Sequence, residues 1–371
     1  MTPTATLMLE RSAQHFVDGQ YLPGNGSRVA IIDPATEAEI GCYAEATEAE
    51  MEQAIALANQ AQKGWWALSA LERADALHRV ADRLGELSAQ VGECLTREMG
   101  KPYREAEWEA GASASAFRYY AELARQEHGR VAGPAIAGQL HMTIKEPLGT
   151  VVSIVPYNFP VLLFGWQAAA SLAAGNAIIV KPSELTSLTL LLVMQAFDHL
   201  PAGLLQCLTG GANVGRHLVA HPHTHAVAFT GSVPAGQAVA QSAALRFKPV
   251  LIEASGNDPF IVMPSSPVEI VARGAAFAAF LNCGQVCTSA ERFYVHEDVY
   301  DRFVSALAAE ARKLRIGNGL ECVDIGPLAS ARERARVENI VARAVEQGAR
   351  IVCGGKRPAD REQGWFFEPT V

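Results

Sequence analysis

Between residues 151 and 252 short apolar runs alternate with longer amphipathic ones, and this alternation leaves the chain few folds. Strands are expected at 151–155, 177–180, 204–208, 226–229 and 249–252, with helices at 160–174, 186–199, 213–220 and 234–244 between them. Near-continuously apolar strands must be covered on both faces, and the helices between them return the chain through right-handed crossovers. The expected fold class is α/β: a doubly wound, mainly parallel sheet that binds ligands at the carboxyl ends of its strands. The stretch 151–180 carries no charged residue and is long enough to span a bilayer. Pro156, Asn158, Pro160, Gln167 and Gly175-Asn176 divide it into strand, turn, helix, turn and strand, so no membrane span is expected.

The flanks read more loosely. A β ribbon is expected from the apolar runs 16–21 and 29–32 around Gly24-Asn25-Gly26. Thr47 with Glu50 and Ser69 with Glu72 form capping boxes that open helices, Gly100 ends the second run, and a further helix runs from Pro102 towards Gln126. Residues 128–138 read as a connector and 141–146 as an exposed strand. A second α/β unit follows Glu253, with strands at 260–263, 293–296 and 350–352 and helices at 268–280, 299–314 and 330–347. At 371 residues, two or three domains are expected. Thirty-one basic against 39 acidic residues argue against a nucleic-acid partner. Seven cysteines are too few for a disulfide scaffold, and the N-terminus has no secretory pattern, so reduced thiols in a cytoplasm are expected.

Several segments could carry chemistry. In Asn282-Cys283-Gly284-Gln285-Val286-Cys287-Thr288 a polar turn can expose a cysteine and lower its pKa, although a free cysteine is more often a small buried hydrophobe. Glu253 closes an apolar strand, where a partly desolvated carboxylate could act as a base; alone it also reads as a capping or ion-paired residue. Phe229-Thr230-Gly231-Ser232 runs from strand through a glycine turn into a helix, a place for a phosphate, though not the usual Gly-x-Gly-x-x-Gly. Lys181-Pro-Ser183-Glu184 could hold a dinucleotide ribose or be an ordinary turn. His221-Pro-His223-Thr-His225 has a metal-like look, but no acidic or cysteine residue lies nearby in sequence, and no metal is expected. Cys283 and Cys287 are close enough in sequence for a disulfide, with a buried bystander role for Cys283 preferred.

In order along the chain, Arg97-Glu-Met-Gly-Lys101, Pro156-Tyr-Asn-Phe-Pro160, Lys181-Pro-Ser-Glu184, Phe229-Thr-Gly-Ser232, Glu253-Ala-Ser-Gly256 and Gly284-Gln-Val-Cys287 resemble the aldehyde dehydrogenase superfamily. The resemblance implies NAD(P)-dependent oxidation of an aldehyde to a carboxylate. Cys287 would attack the aldehyde, Asn158 and the Cys287 N–H would stabilise the oxyanion, and Glu253 would activate the water that cleaves the thioester. NAD, rather than NADP, would lie against Ile154, Pro156, Tyr157, Lys181, Ser183, Glu184, Gly211, Gly215, Phe229, Thr230, Gly231 and Ser232. Phe159, Leu163, Trp166, Val286 and Thr288 would line an apolar aldehyde tunnel, with Gln167 adding one polar group. The resemblance also implies three parts: an NAD-binding domain (1–127 and 148–252), an oligomerisation ribbon (128–147) serving a homodimer or homotetramer, and a catalytic domain (253–371).

Two departures stand out. Ser255 replaces a glycine usual in the family, so the local backbone is expected to differ. Family members also continue for about another quarter of this length, with a Glu-x-Phe-Gly-Pro motif on the nicotinamide ribose. The chain alone is therefore expected to be aggregation-prone and weakly active. A non-catalytic relative and an enzyme acylating coenzyme A remain alternatives; the latter generally lacks a glutamate at the position of Glu253.

Overall fold

A computed structural model describes residues 2–126 and 129–371. Helix α1 (Pro3–Arg11) precedes strands β1 (Gln14–Val17), β2 (Gln20–Pro23), β3 (Arg28–Ile32) and β4 (Glu39–Ala44). Four helices follow: α2 (Glu48–Ala67), α3 (Ala70–Glu86), α4 (Ser88–Met99) and α5 (Tyr103–Leu123). Both capping boxes form, at Thr47 with Glu50 and at Ser69 with Glu72. Gly100 caps α4 with φ 84°, a left-handed conformation that glycine adopts without side-chain strain. A hairpin of β5 (Gly129–Ala132) and β6 (His141–Ile144) comes next, so part of the expected connector is a strand. The domain boundary expected between 127 and 128 lies outside the described residues.

The expected alternation then appears: β7 (Thr150–Ile154), α6 (Pro160–Ala173), β8 (Ala177–Lys181), α7 (Ser187–Val193), β9 (Leu205–Cys207), α8 (Ala212–Ala220), β10 (Ala226–Thr230), α9 (Val233–Ala244) and β11 (Val250–Glu253). The one helix expected at 186–199 is instead α7 flanked by 3-10 turns at Glu184–Thr186 and Met194–Phe197. All neighbouring pairs among these five strands are parallel, in the order β11-β10-β7-β8-β9. After β9 the chain crosses to the far side of β7, so the strand order reverses between β7 and β10. A crevice opens at such a switch point, outside the carboxyl ends of the strands. In α6, Leu162, Phe164, Ala168 and Leu172 are all buried, as expected of a helix apolar on every face. That burial accounts for the uncharged stretch 151–180, and among the described residues no helix is long and apolar enough to cross a membrane.

The N-terminal ribbon is differently paired. β1 and β2 form a hairpin turning at Asp18-Gly19, and β1 joins the main sheet antiparallel to β9 through Phe16 and Cys207. β3 pairs with β4, not with the first run. Gly24-Asn25-Gly26 therefore links two separate ladders, because β1 has a sheet edge to complete.

The second unit has β12 (Asp258–Val262), α10 (Val268–Phe280), β13 (Ala290–Val295), α11 (Tyr300–Lys313) and α12 (Ala331–Glu346). β12 and β13 are parallel and pack Val262, Ala272, Ala275, Phe303 and Leu307 into a small core of their own. Residues 350–352 form no strand. The N–H groups of Val352 and Cys353 donate to the Val371 carbonyl, and no strand ladder among the described residues reaches them.

Candidate functional site

The carboxyl ends of β7, β8, β10 and β11 open onto a groove of about 760 Å³. Its lining includes Ile154, Pro156, Tyr157, Asn158, Lys181, Ser183, Glu184, Gly215, Phe229, Thr230, Gly231, Ser232, Glu253, Val286 and Cys287. These residues meet there because the ends of four strands, the turn after α10 and, at Gly215, helix α8 converge on the groove. Gly211 does not line the groove. It caps α8, and its N–H donates to Glu45 at 3.0 and 3.1 Å.

Ser232 caps α9, its hydroxyl accepting the Ala235 N–H, and Pro234 in the first turn has no N–H to offer; the positive end of the helix lies at the groove's end. Lys181 donates from Nζ to the carbonyls of Pro182 and Gly210 at 2.7 and 2.8 Å, and lies 3.9 Å from Glu184. Burial pulls its pKa down. Tyr157 is pushed up by burial and by Glu333 on α12, whose neighbours Arg332 and Arg336 also line the groove.

The cysteine turn is strained and heavily braced. Asn282 and Cys283 hold φ values of 49° and 59°, followed by Gly284 at 73°. Such a conformation costs a non-glycine residue roughly 1–2 kcal/mol. The Asn282 N–H donates to Glu105 at 3.0 Å, Asn282 Nδ2 to the Asn158 carbonyl at 3.2 Å, and Cys283 Sγ to the Gly326 carbonyl at 2.9 Å. Cys283 is thus an internal donor whose thiol burial pushes well up. All seven cysteines are free, so no Cys283–Cys287 disulfide forms. Cys287 stands at the groove, its thiol raised by burial first and by the charge of Glu253 second. Gly256 packs against it so closely that a Cβ would fall 2.1 Å from the Cys287 carbonyl oxygen. Ser255 takes φ 66°, a left-handed conformation that costs a serine strain.

Asn158 Nδ2 donates to the Gln285 carbonyl at 2.9 Å, which leaves its second amide hydrogen for a ligand. Behind it lies a feature the sequence did not reveal. Lys101 Nζ, 2.7 Å from Glu109, also donates to the Asn158 carbonyl at 2.5 Å and sits 3.5 Å over the Phe159 ring. Both charged side chains are fully buried. The other Glu109 oxygen accepts the N–H groups of Val161 and Leu162 at 2.7 and 3.0 Å. Arg97-Glu-Met-Gly-Lys101 was visible as a motif, but the partner of its lysine was not.

A second cavity of about 640 Å³ shares Phe229, Thr230 and Glu253 with the groove, so Glu253 stands where the two meet. Glu253 Oε2 is buried with no hydrogen-bond partner among the described residues. Leu163 and Trp166 line this cavity together with Tyr119 and Tyr120, which sequence reading missed. Phe159 is buried beneath Lys101, and Thr288 is exposed; neither lines a described cavity. Gln167 reaches the cavity, but its side chain is already bonded to Ser153 and Thr230 at 2.6 and 3.2 Å. An acidic residue does reach the histidine segment: Glu52 of α2 bonds His217 and His221.

Comparison with known proteins identifies the family. Residues 21–371 match the model of the aldehyde dehydrogenase family, and the chain belongs to that family. It is 35% identical over 365 residues to the 3,6-anhydro-alpha-L-galactose dehydrogenase of Vibrio sp. (strain EJY3), covering 96% of this chain and 76% of that protein. It is also 35% identical over 362 residues to the lactaldehyde dehydrogenase of Escherichia coli (strain K12), covering 96% and 75%. Among solved structures, 3,6-anhydro-L-galactose dehydrogenase in complex with NAP superposes with a TM-score of 0.92 at 36% identity, over 97% of this chain and 77% of that one. PnpE in complex with nicotinamide adenine dinucleotide superposes at 0.94 and 33%, over 97% and 75%.

Proposed function

We propose that this chain oxidises an aldehyde to a carboxylate with NAD, using Cys287 as nucleophile. The observation that carries the reading is the meeting of the two cavities at Glu253, with Cys287 and Asn158 lining the larger one. The groove suits a dinucleotide in size and chemistry. The positive end of α9 and the Ser232 hydroxyl suit a pyrophosphate, Arg332 and Arg336 add positive charge, and Lys181 with Glu184 suits ribose hydroxyls. When bound, the nicotinamide supplies a hydride acceptor.

The chain's own residues do the rest. Cys287 gives up its proton to water in the groove and its sulfur adds to the aldehyde carbon, whose π electrons move onto the oxygen. The free amide hydrogen of Asn158 and the Cys287 N–H meet the oxygen as its charge develops. After loss of the hydride a thioester remains on Cys287. Glu253 takes a proton from water, which adds to the thioester carbon; the carboxylate leaves and the thiol is restored. The aldehyde enters beside Leu163, Trp166, Tyr119 and Tyr120, a mainly apolar and aromatic wall. NAD is preferred because Glu184 lines the groove beside Lys181, where its carboxylate suits ribose hydroxyls and would repel a 2′-phosphate. The reading keeps the division into cofactor domain, ribbon and catalytic domain. Val131 and Ile144 of the hairpin are 75% and 71% exposed, which supports the ribbon's use in a homo-oligomer.

The test is NADH formation with a panel of aldehydes. Cys287→Ala should be inactive and still bind NAD, while Cys283→Ala retains activity; the reverse result overturns the assignment. Glu253→Gln should keep a burst of about one NADH per site and lose steady turnover. Loss of the burst would place the glutamate in an earlier step.

A further inference from the structure

We propose that Glu52, His217 and His221 form a site for a divalent first-row transition ion, with zinc as occupant. His217 lies in the last turn of α8 and His221 caps that helix, so the four-residue spacing puts both imidazoles on one face. Their rings stack with centroids 5.7 Å apart and planes 29° apart. Glu52, from the first turns of α2, reaches both, at 3.2 Å from His217 Nε2 and 3.0 Å from His221 Nε2. One ligand atom from each of the three residues lies within 4.8 Å of the other two.

These separations suit a metal ion. In a tetrahedral zinc site with bonds of about 2.0–2.1 Å, ligand atoms stand about 3.3 Å apart. The two carboxylate–imidazole distances, 3.2 and 3.0 Å, are already close to that value. Two imidazoles and one carboxylate are the donors of a borderline cation, whereas calcium or magnesium would demand more oxygen. In the ion-free state each Nε2 donates its hydrogen to Glu52. Binding replaces those hydrogens with the ion and moves each imidazole proton to Nδ1. At His221 that move gives up a 3.2 Å bond from the His223 N–H, which is exposed and can turn to water. Glu52 is exposed and both histidines are partly so, which gives the ion a path in and leaves its fourth position to water. The ion would fasten α2 to α8, whose Gly215 and Val219 form part of the cofactor groove. It takes no part in aldehyde chemistry, so it stands or falls apart from the proposed reaction.

The experiment is calorimetric titration of the chelator-treated 371-residue chain with zinc, repeated with cobalt(II) as a spectroscopic probe. One ion per chain should bind, without the near-ultraviolet charge-transfer band of a cobalt thiolate. His217→Gln and His221→Gln should each weaken binding at least tenfold, and His223→Gln should leave it unchanged. Zinc-free melting temperatures equal to that of the unaltered chain would establish that these surface variants fold. Absence of stoichiometric binding at micromolar zinc overturns the proposal. So does binding that survives the double variant His217→Gln/His221→Gln, or a thiolate band that places the ion on a cysteine.

Discussion

Replacing Lys101 with methionine removes one half of a fully buried ion pair while keeping most of the side-chain volume. Removing one partner of such a pair costs about 3–5 kcal/mol, because the charge left behind is unpaired. Here Glu109 keeps two strong donors, the N–H groups of Val161 and Leu162 at the positive end of α6. The loss should therefore fall at the low end, about 3 kcal/mol. Glu109→Gln alone leaves the buried lysine with only the charge of Glu105 to offset it, though the glutamine carbonyl can still accept from α6. The double variant Lys101→Met/Glu109→Gln has neither stranded charge, so its cost should be below the sum of the singles by about 1.5 kcal/mol or more. Urea unfolding of the four proteins measures this coupling. Additivity within about 0.5 kcal/mol would refute the claim that the pair acts as a unit. Because Lys101 also holds the Asn158 carbonyl, Lys101→Met should lower kcat more than it raises KM for the aldehyde.

Other perturbations follow from the same geometry. Ser255→Gly should stabilise the chain by about 1 kcal/mol in urea unfolding, since serine sits at φ 66°; an unchanged or lower midpoint contradicts this. Gly256→Ala should disorder the Cys287 turn and abolish turnover, because its new methyl meets the Cys287 carbonyl; retained activity would show that the turn can yield. Alkylation of Cys287 should accelerate with rising pH through a pKa above the ordinary thiol value, as the raised pKa keeps the thiol protonated at neutral pH. Glu253→Gln should move that profile to lower pH without normalising it, since burial is the larger cause; an unmoved profile would mean that the carboxylate does not act on the thiol. Glu184→Ser should raise relative kcat/KM for NADP. No change would remove this carboxylate from cofactor choice.

What the chain's order of residues determined by itself was the sheet and the places where it ends. Apolar runs and capping boxes are local signals, so β7 to β11 and the starts of α2 and α3 were legible without tertiary knowledge. Once the strands are known, their carboxyl ends follow, and Asn158, Lys181, Ser232 and Glu253 lie at or just beyond them. Cys287 was legible as a cysteine in a polar turn, and the family motifs selected it over Cys283. Only the tertiary structure decided which groups stand behind those residues. Glu109 meets α6 across about 50 positions, Glu45 meets Gly211 across 166, and Glu52 meets His217 across 165. No periodicity encodes such pairings, because they depend on which helix faces pack together. The N-terminal ribbon was misread for a related reason: strand pattern identifies a strand, but its partner is whichever edge the packed sheet leaves open, and for β1 that edge was β9. Residues 350–352 show the converse, an apolar segment with strand-like composition that is no strand because no ladder among the described residues lies beside it.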